Sequence, residues 1–200
     1  MGVMTRRNTK RQIMDAAKRI FAEKGYDASS LDDIAREAQV KKALIFYYFP
    51  SKETLFLEAW NEGIDELEHH LFSEIEGESI YIRKLKKLLK AYVDFVMGRK
   101  DIMKLIEMDK MKILKSPSRE KENWSSLKKR YALFIQHIEE LIDEGKQKKV
   151  LPPSISTHST ARLIAETMGM GVTDEELSLD QLVQFILMGM SLGAEGVTPT

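Results

Sequence analysis

A chain of 200 residues, 43% hydrophobic and 31% charged with 31 basic and 31 acidic side chains, can fill one large core or two small ones and lacks the net charge of a disordered chain. The absence of cysteine excludes disulfides, thiolate metal ligands and cysteine nucleophiles, and fits a reducing compartment. Residues 1–19 are charged too early for a secretory signal, and the longest apolar run, residues 182–192, is about half of the roughly 20 residues of a membrane span; a soluble, cytoplasmic protein with no membrane partner is expected.

Helical spacing recurs along the chain without period-two alternation, which gives an all-α fold of about nine helices. Ile13, Ala16, Ala17, Ile20 and Phe21 form a first stripe, opened by Thr9-x-x-Gln12 as a capping box and closed by Gly25. Ser30-x-x-Asp33 caps a second helix with Leu31, Ile34, Ala35 and Ala38 on its core face. A tight turn at Val40 leads to a third helix over residues 41–48, which Pro50 stops near Phe49. Ser51-x-x-Thr54 opens a fourth, running to about residue 75. Longer helices follow over residues 82–98, 101–114 and a stretch of about 30 residues ending near Gly145, all on helical apolar stripes. Leu151-Pro152-Pro153 is a loop, and two last helices are expected over residues 157–171 and 179–193.

The zero net charge conceals an asymmetry. Residues 1–52 carry 11 Lys/Arg and six Asp/Glu, a net +5, which leaves −5 on the remainder. A basic head suggests an anionic partner. Two short helices joined by a tight turn, the second basic and aromatic, form a helix-turn-helix arrangement. Its reader helix would be Lys41-Lys42-Ala43-Leu44-Ile45-Phe46-Tyr47-Tyr48-Phe49. The lysines suit phosphate oxygens, Ala43 lets the backbone approach a groove, and the Tyr47 and Tyr48 phenols can reach phosphate or a thymine methyl. Leu44, Ile45, Phe46 and Phe49 are expected in the core, and solvation is the alternative for the lysines.

Ile13-x3-Ala17-x3-Phe21-x3-Gly25, then Ile34-Ala35-x2-Ala38-x-Val40, then Tyr48-Phe49-x-Ser51-Lys52-Glu53-x-Leu55 resembles the TetR family of bacterial transcription regulators, tetracycline-repressor-like proteins. The resemblance covers residues 9–57; residues 58–200 share only size and helical pattern with the family's variable ligand domain. It implies a DNA-binding domain over residues 1–52 and a helical ligand-binding and dimerisation domain over residues 53–200. It also implies a homodimer on a pseudo-palindromic double-stranded operator, commonly a repressor released by a small-molecule effector. Carried over residue by residue, it places Ser29 and Ser30 at the start of the second helix, Lys41, Lys42 and Ala43 at the start of the reader helix, Tyr47 and Tyr48 at bases and backbone, and Lys52 at a phosphate. Lys10, Arg11 and Arg7 would track the backbone. Four positions depart from the pattern: Gln39 stands where the turn commonly has Gly, Lys41 where Ser caps, Ala43 where Gly is frequent and Phe46 where Tyr supplies a hydroxyl. Gln39 is therefore expected in a left-handed conformation at some cost.

In the body, residues 182–190 are apolar nearly all round, and residues 163–170 similarly. Leu163, Met168, Gly169, Phe185, Met188 and Gly189 are assigned to a two-fold interface, a four-helix bundle with a partner copy. Burial inside one subunit is the alternative. Met97, Met103, Met108 and Met168 with Trp124, Phe134 and His137 suggest a pocket for an effector of unassigned class, against ordinary core for each. The basic row Arg83, Lys84, Lys86, Lys87 and Lys90 reads as a solvated face paired with acids, or as a membrane or nucleic-acid contact. His69 and His70 with Glu66 and Glu74 invite a metal reading, since His70 and Glu74 are i, i+4, but adjacent histidines point about 100° apart and cannot both join that pair, so no metal is expected; no cofactor is expected either. No catalytic constellation appears, and an enzyme is not expected. The competing reading is a DNA-binding dimer without an effector, whose body only dimerises.

Overall fold

The computed structural model describes residues 6–115 and 122–169. Among them are eight helices and no strand: α1 (Arg6–Ala28), α2 (Leu31–Glu37), α3 (Lys42–Tyr48), α4 (Lys52–Ser73), α5 (Tyr81–Gly98), α6 (Lys100–Lys115), α7 (Glu122–Gln147) and α8 (Thr157–Gly169). The fold is all-α; the helix expected over residues 179–193 lies outside the described residues. The chain forms two compact units, Met1–Glu66 with Arg99–Tyr131 and Leu67–Gly98 with Ala132–Thr200, so α4 and α7 each contribute to both.

In the first unit α1 buries Ile13, Met14, Ala16, Ala17, Ile20 and Phe21 at the spacing read from the sequence and packs along α6. The helical path breaks at Gly25, whose φ of 73° and ψ of 172° lie in a region open essentially to glycine alone. Thr9 and Gln12 do not form a capping box. Helix α1 already includes Arg6, Thr9 is buried, and the Gln12 Nε2 donates to the Ala38 carbonyl at 2.8 Å, tying α1 to the end of α2. Phe21, Tyr26, Phe56 and Trp124 form an aromatic cluster: Phe21 and Tyr26 lie 5.0 Å from Phe56, and Trp124 5.3 Å from Tyr26. Edge-to-face contacts of this kind add about 0.5–1.5 kcal/mol each beyond area burial. Gly63 lets α4 approach α6 closely, since a Cβ there would lie 3.3 Å from the Ile102 Cγ2.

Lys18 is fully buried in this unit, its amine 3.0 Å from Glu62 and hydrogen-bonded to Glu66, which also accepts from Arg99. Burial pushes the Glu66 carboxyl up. The Lys18 hydrogen bond and charge, with the Arg99 guanidinium, outweigh it and hold the carboxyl below its usual range.

In the second unit, Leu85, Leu88, Leu89, Tyr92, Phe95 and Val96 form the buried face of α5, and Phe134, Ile135, Ile138, Leu141 and Ile142 that of α7. The basic row on α5 is matched by acids: Lys84 bonds Glu144 of α7 at 2.7 Å, Lys87 pairs with Glu78 at 3.2 Å, and Lys90 pairs with Asp94 one turn on. His137 on α7 bonds Glu68 on α4, and His158 on α8 bonds Glu139 on α7. Helix α7 ends at Gln147, near Gly145 as the sequence suggests. Gly145 sits inside the helix, where a Cβ would overlap the Tyr81 ring, and Lys149 takes the left-handed terminal position with φ 56°. Burial, with the charge of Glu144, pushes the Tyr81 phenol up.

Candidate nucleic-acid interface

Helices α2 and α3 have seven residues each, too few to be stable alone, so their mutual angle depends on what pins their ends. Helix α2 starts at Ser30, whose hydroxyl accepts the Asp33 N–H at 3.1 Å and donates to the Asp33 carboxylate at 2.8 Å. The Ser30 bond, then Lys24, holds the Asp33 carboxyl below its usual range. Helix α2 ends in a Schellman turn. The Val40 N–H bonds the Ala35 carbonyl, the Gln39 N–H bonds that of Arg36, and Gln39 takes φ 51°, the left-handed conformation expected of it. Arg19 holds Glu37 at 2.8 Å from α1.

The turn places α3 with Ile45 and Phe49 fully buried and Lys41, Lys42, Ala43, Phe46 and Tyr47 exposed. The two phenol rings of Tyr47 and Tyr48 meet edge to face at 5.0 Å, with Tyr48 half-buried. Phe46 is not a core residue as the sequence suggests: 48% of it is exposed, beside Tyr47 at 64%. On a seven-residue helix, Ile45 and Phe49 occupy the core side at i and i+4, and Phe46 is turned about 100° away. The same rule could have found it, because Phe46 lies one turn beyond Lys42, as Tyr47 does beyond Ala43.

The remaining sequence-read residues fall in varied places. Lys41 precedes α3 with extended backbone and makes no side-chain cap bond. Lys42 pairs with Asp32 of α2 at 2.8 Å. Ser29 is buried, its hydroxyl donating to the Tyr26 carbonyl at 2.8 Å. The Lys52 amine donates to the Tyr26 and Ser29 carbonyls at 2.8 and 3.0 Å and lies 4.4 Å from the centre of the Tyr26 ring. Lys52 thus fastens the start of α4 to the turn that launches α2. Lys10 pairs with Glu58 at 3.1 Å and Arg11 with Asp15 at 3.2 Å. Asp32, which the motif reading passed over, and Gln12, read from the sequence as half of a capping box, both shape this corner.

The residues assigned to a ligand pocket are divided between the units. Trp124 and Met103 are buried in the first, Trp124 within the aromatic cluster. In the second, Phe134 is buried, Met97 is 57% exposed, and His137 bonds Glu68. Met108 and Met168 have no described side chain. Of the interface set, Leu163 on α8 is 64% exposed, Met168 and Gly169 belong to α8, and Phe185, Met188 and Gly189 lie outside the described residues. Among the described residues, no three His, Asp or Glu side chains are grouped to hold a metal ion, and no helix is long and apolar enough to cross a membrane.

A capped short helix, a left-handed turn and a second short helix with an exposed basic and aromatic face define a helix-turn-helix DNA-binding domain. Residues 13–59 match the family model described as bacterial regulatory proteins, tetR family, and the chain as a whole is similar to transcription regulators. It is 25% identical over 171 residues to the uncharacterized HTH-type transcriptional regulator YfiR of Bacillus subtilis (strain 168), spanning 85% of this chain and 80% of YfiR. It is 47% identical over 47 residues to IcaR of Staphylococcus aureus (strain Newman), the HTH-type negative transcriptional regulator of the biofilm operon icaADBC; that match spans 24% of this chain and 25% of IcaR. The solved complex of AibR with isovaleryl coenzyme A and operator DNA shares the fold, with a TM-score of 0.71, 17% identity, and coverage of 91% of this chain and 97% of AibR.

Proposed function

We propose that this chain is a homodimeric repressor that binds a pseudo-palindromic operator through α3 and is released by a small-molecule ligand held in its body. The observation that carries the reading is the exposed face of α3, where Lys41, Lys42, Ala43, Phe46 and Tyr47 stand together above a fully buried Ile45 and Phe49. The phenol of Tyr47 and the ring of Phe46 suit base edges and thymine methyls, Ala43 lets the backbone come close, and Lys41 meets phosphate. Tyr48 lies at the edge of that face. Ser29, Ser30 and Lys52 act by fixing the start of α2, their polar atoms being engaged within the protein.

Residues 1–52 then serve DNA reading and residues 53–200 ligand binding and dimerisation, in the cytoplasm. The exposed Leu163 supports a subunit contact along α8 continued by Met168, Gly169, Phe185, Met188 and Gly189. Met97, Met103, Met108, Trp124, Phe134, His137 and Met168 remain the residues to vary in search of the ligand. A repressor role is supported by IcaR, a negative regulator that is similar only in the head, and a coenzyme A thioester is the ligand class to try first, since AibR of the same fold was solved with one.

The test is selection and sequencing of bound DNA from fragmented source genome at fixed salt, with light scattering on the same preparation. Enrichment of one inverted repeat by a particle of twice the 23.0 kDa chain mass is expected. A monomer that enriches no repeat would overturn the reading.

A further inference from the structure

The Lys42–Asp32 pair is the least expected feature of this face. A carboxylate beside the reader helix repels phosphate, and here it stands 2.8 Å from the Lys42 amine with both side chains exposed. Helix capping does not require it, because Ser30 and Asp33 already close the start of α2. Nor does core packing, since Asp32 is on the surface.

We propose that Asp32 is a specificity-determining residue that, with Lys42, reads a G·C base pair in the major groove; this rests on the DNA-reading role given to α3 above. The lysine has three N–H donors, of which Asp32 uses one, leaving two for the N7 and O6 of guanine. The carboxylate keeps lone pairs for the N4 amine of the cytosine paired with that guanine. Side by side, the amine and the carboxylate present a donor and an acceptor to an edge that carries acceptors next to a donor. The pair therefore reads G·C without breaking. An A·T pair in the same orientation sets the adenine N6 amine toward the lysine and the thymine O4 toward the carboxylate, donor on donor and acceptor on acceptor.

The same geometry restrains binding elsewhere. A neutral pair adds little to the sequence-independent attraction of phosphates, so Lys42 contributes where the right base pair is present and little on other DNA.

The experiment compares wild type, Asp32→Asn and Lys42→Met by selection and sequencing, followed by titration of the selected duplex and a shuffled duplex over a range of salt. Asp32→Asn is expected to abolish the G·C preference at one position in each half-site. It should also tighten binding to shuffled DNA, steepen its salt slope by about one and lower the preference for the selected duplex by about tenfold. Lys42→Met is expected to lose the same base preference without any gain on shuffled DNA. A wild type that selects no sequence overturns the DNA-reading role of the face, and the role of Asp32 with it. A wild type that selects a sequence whose base profile both variants leave intact overturns the role of Asp32 and Lys42 alone.

Discussion

Helices α3 and α5 each begin with a concentration of basic side chains, and in the sequence the row on α5 is the denser. Both meet carboxylates, Lys42 of α3 pairing with Asp32, and the difference lies in what stands beside the charges. On α5, Lys84, Lys87 and Lys90 each meet a carboxylate, and the exposed large apolar residues of that helix and its approach, Ile80 and Met97, lie at its two ends. On α3, two exposed aromatic rings stand one turn beyond Lys42 and Ala43, above a fully buried pair. Charge density alone therefore does not single out α3. What sets the proposed interface apart is charge together with exposed aromatic and small residues on one short helix whose ends are tied down.

Changes that separate these two surfaces fall in a graded order. Tyr47→Ala is expected to cost about 1–3 kcal/mol of binding to the selected operator, read by titration, while the melting temperature stays put because the ring is exposed. Lys52→Ala removes two charge-assisted bonds to the Tyr26 and Ser29 carbonyls, so a loss of about 2 kcal/mol in stability is expected in denaturant titration. Its salt slope on DNA should stay unchanged, where a phosphate contact would flatten it by about one.

Lowering the pH should weaken both units. Burial pushes the Glu144 carboxyl up, and the Lys148 and Lys84 bonds outweigh it and hold the carboxyl low; Glu66 and Asp33 are lowered as well. A lowered carboxyl gives stability that is fully present above its unfolded value, 4.5 for Glu, and is lost as pH falls through the folded value. Thermal midpoints should hold steady from neutrality and fall below about pH 4.5. Lys84→Ala is smaller still, about 1 kcal/mol of stability at most, with no change in DNA binding. Smallest is Gln39→Gly, which relieves a left-handed residue and should stabilise by up to about 1 kcal/mol.

The head was largely legible because its signals are local. The Ser30 cap, the left-handed Gln39 and the core positions Ile45 and Phe49 follow from neighbours within a few residues. Phe46 was misread by hydrophobicity alone, although helical spacing puts it on the face of Lys42. For Ser29 and Lys52 the motif gives the position but not the bonds their polar atoms make. The Ser29 hydroxyl bonds the nearby Tyr26 carbonyl, whereas the Lys52 amine reaches a carbonyl 23 residues away, which depends on packing that no spacing rule encodes. In the body, Gly145 marks the neighbourhood of the α7 end, but its lack of a side chain serves the Tyr81 ring, a long-range contact, and Lys149 takes the left-handed position beyond the helix as Gln39 does beyond α2. The residues assigned to a pocket fall in both units. Adaptable residues such as Met97 and Met103 carry no directional signal.

The most direct measurement titrates wild type, Tyr47→Ala and the double variant Lys84→Ala/Lys87→Ala against the selected inverted repeat and a shuffled duplex at one fixed salt. Wild type and the α5 variant should prefer the repeat by about a thousandfold or more, and Tyr47→Ala should lose much of that preference while still binding the shuffled duplex. A Tyr47→Ala chain that keeps the full preference, or an α5 variant that loses as much, would contradict the assignment of DNA reading to α3.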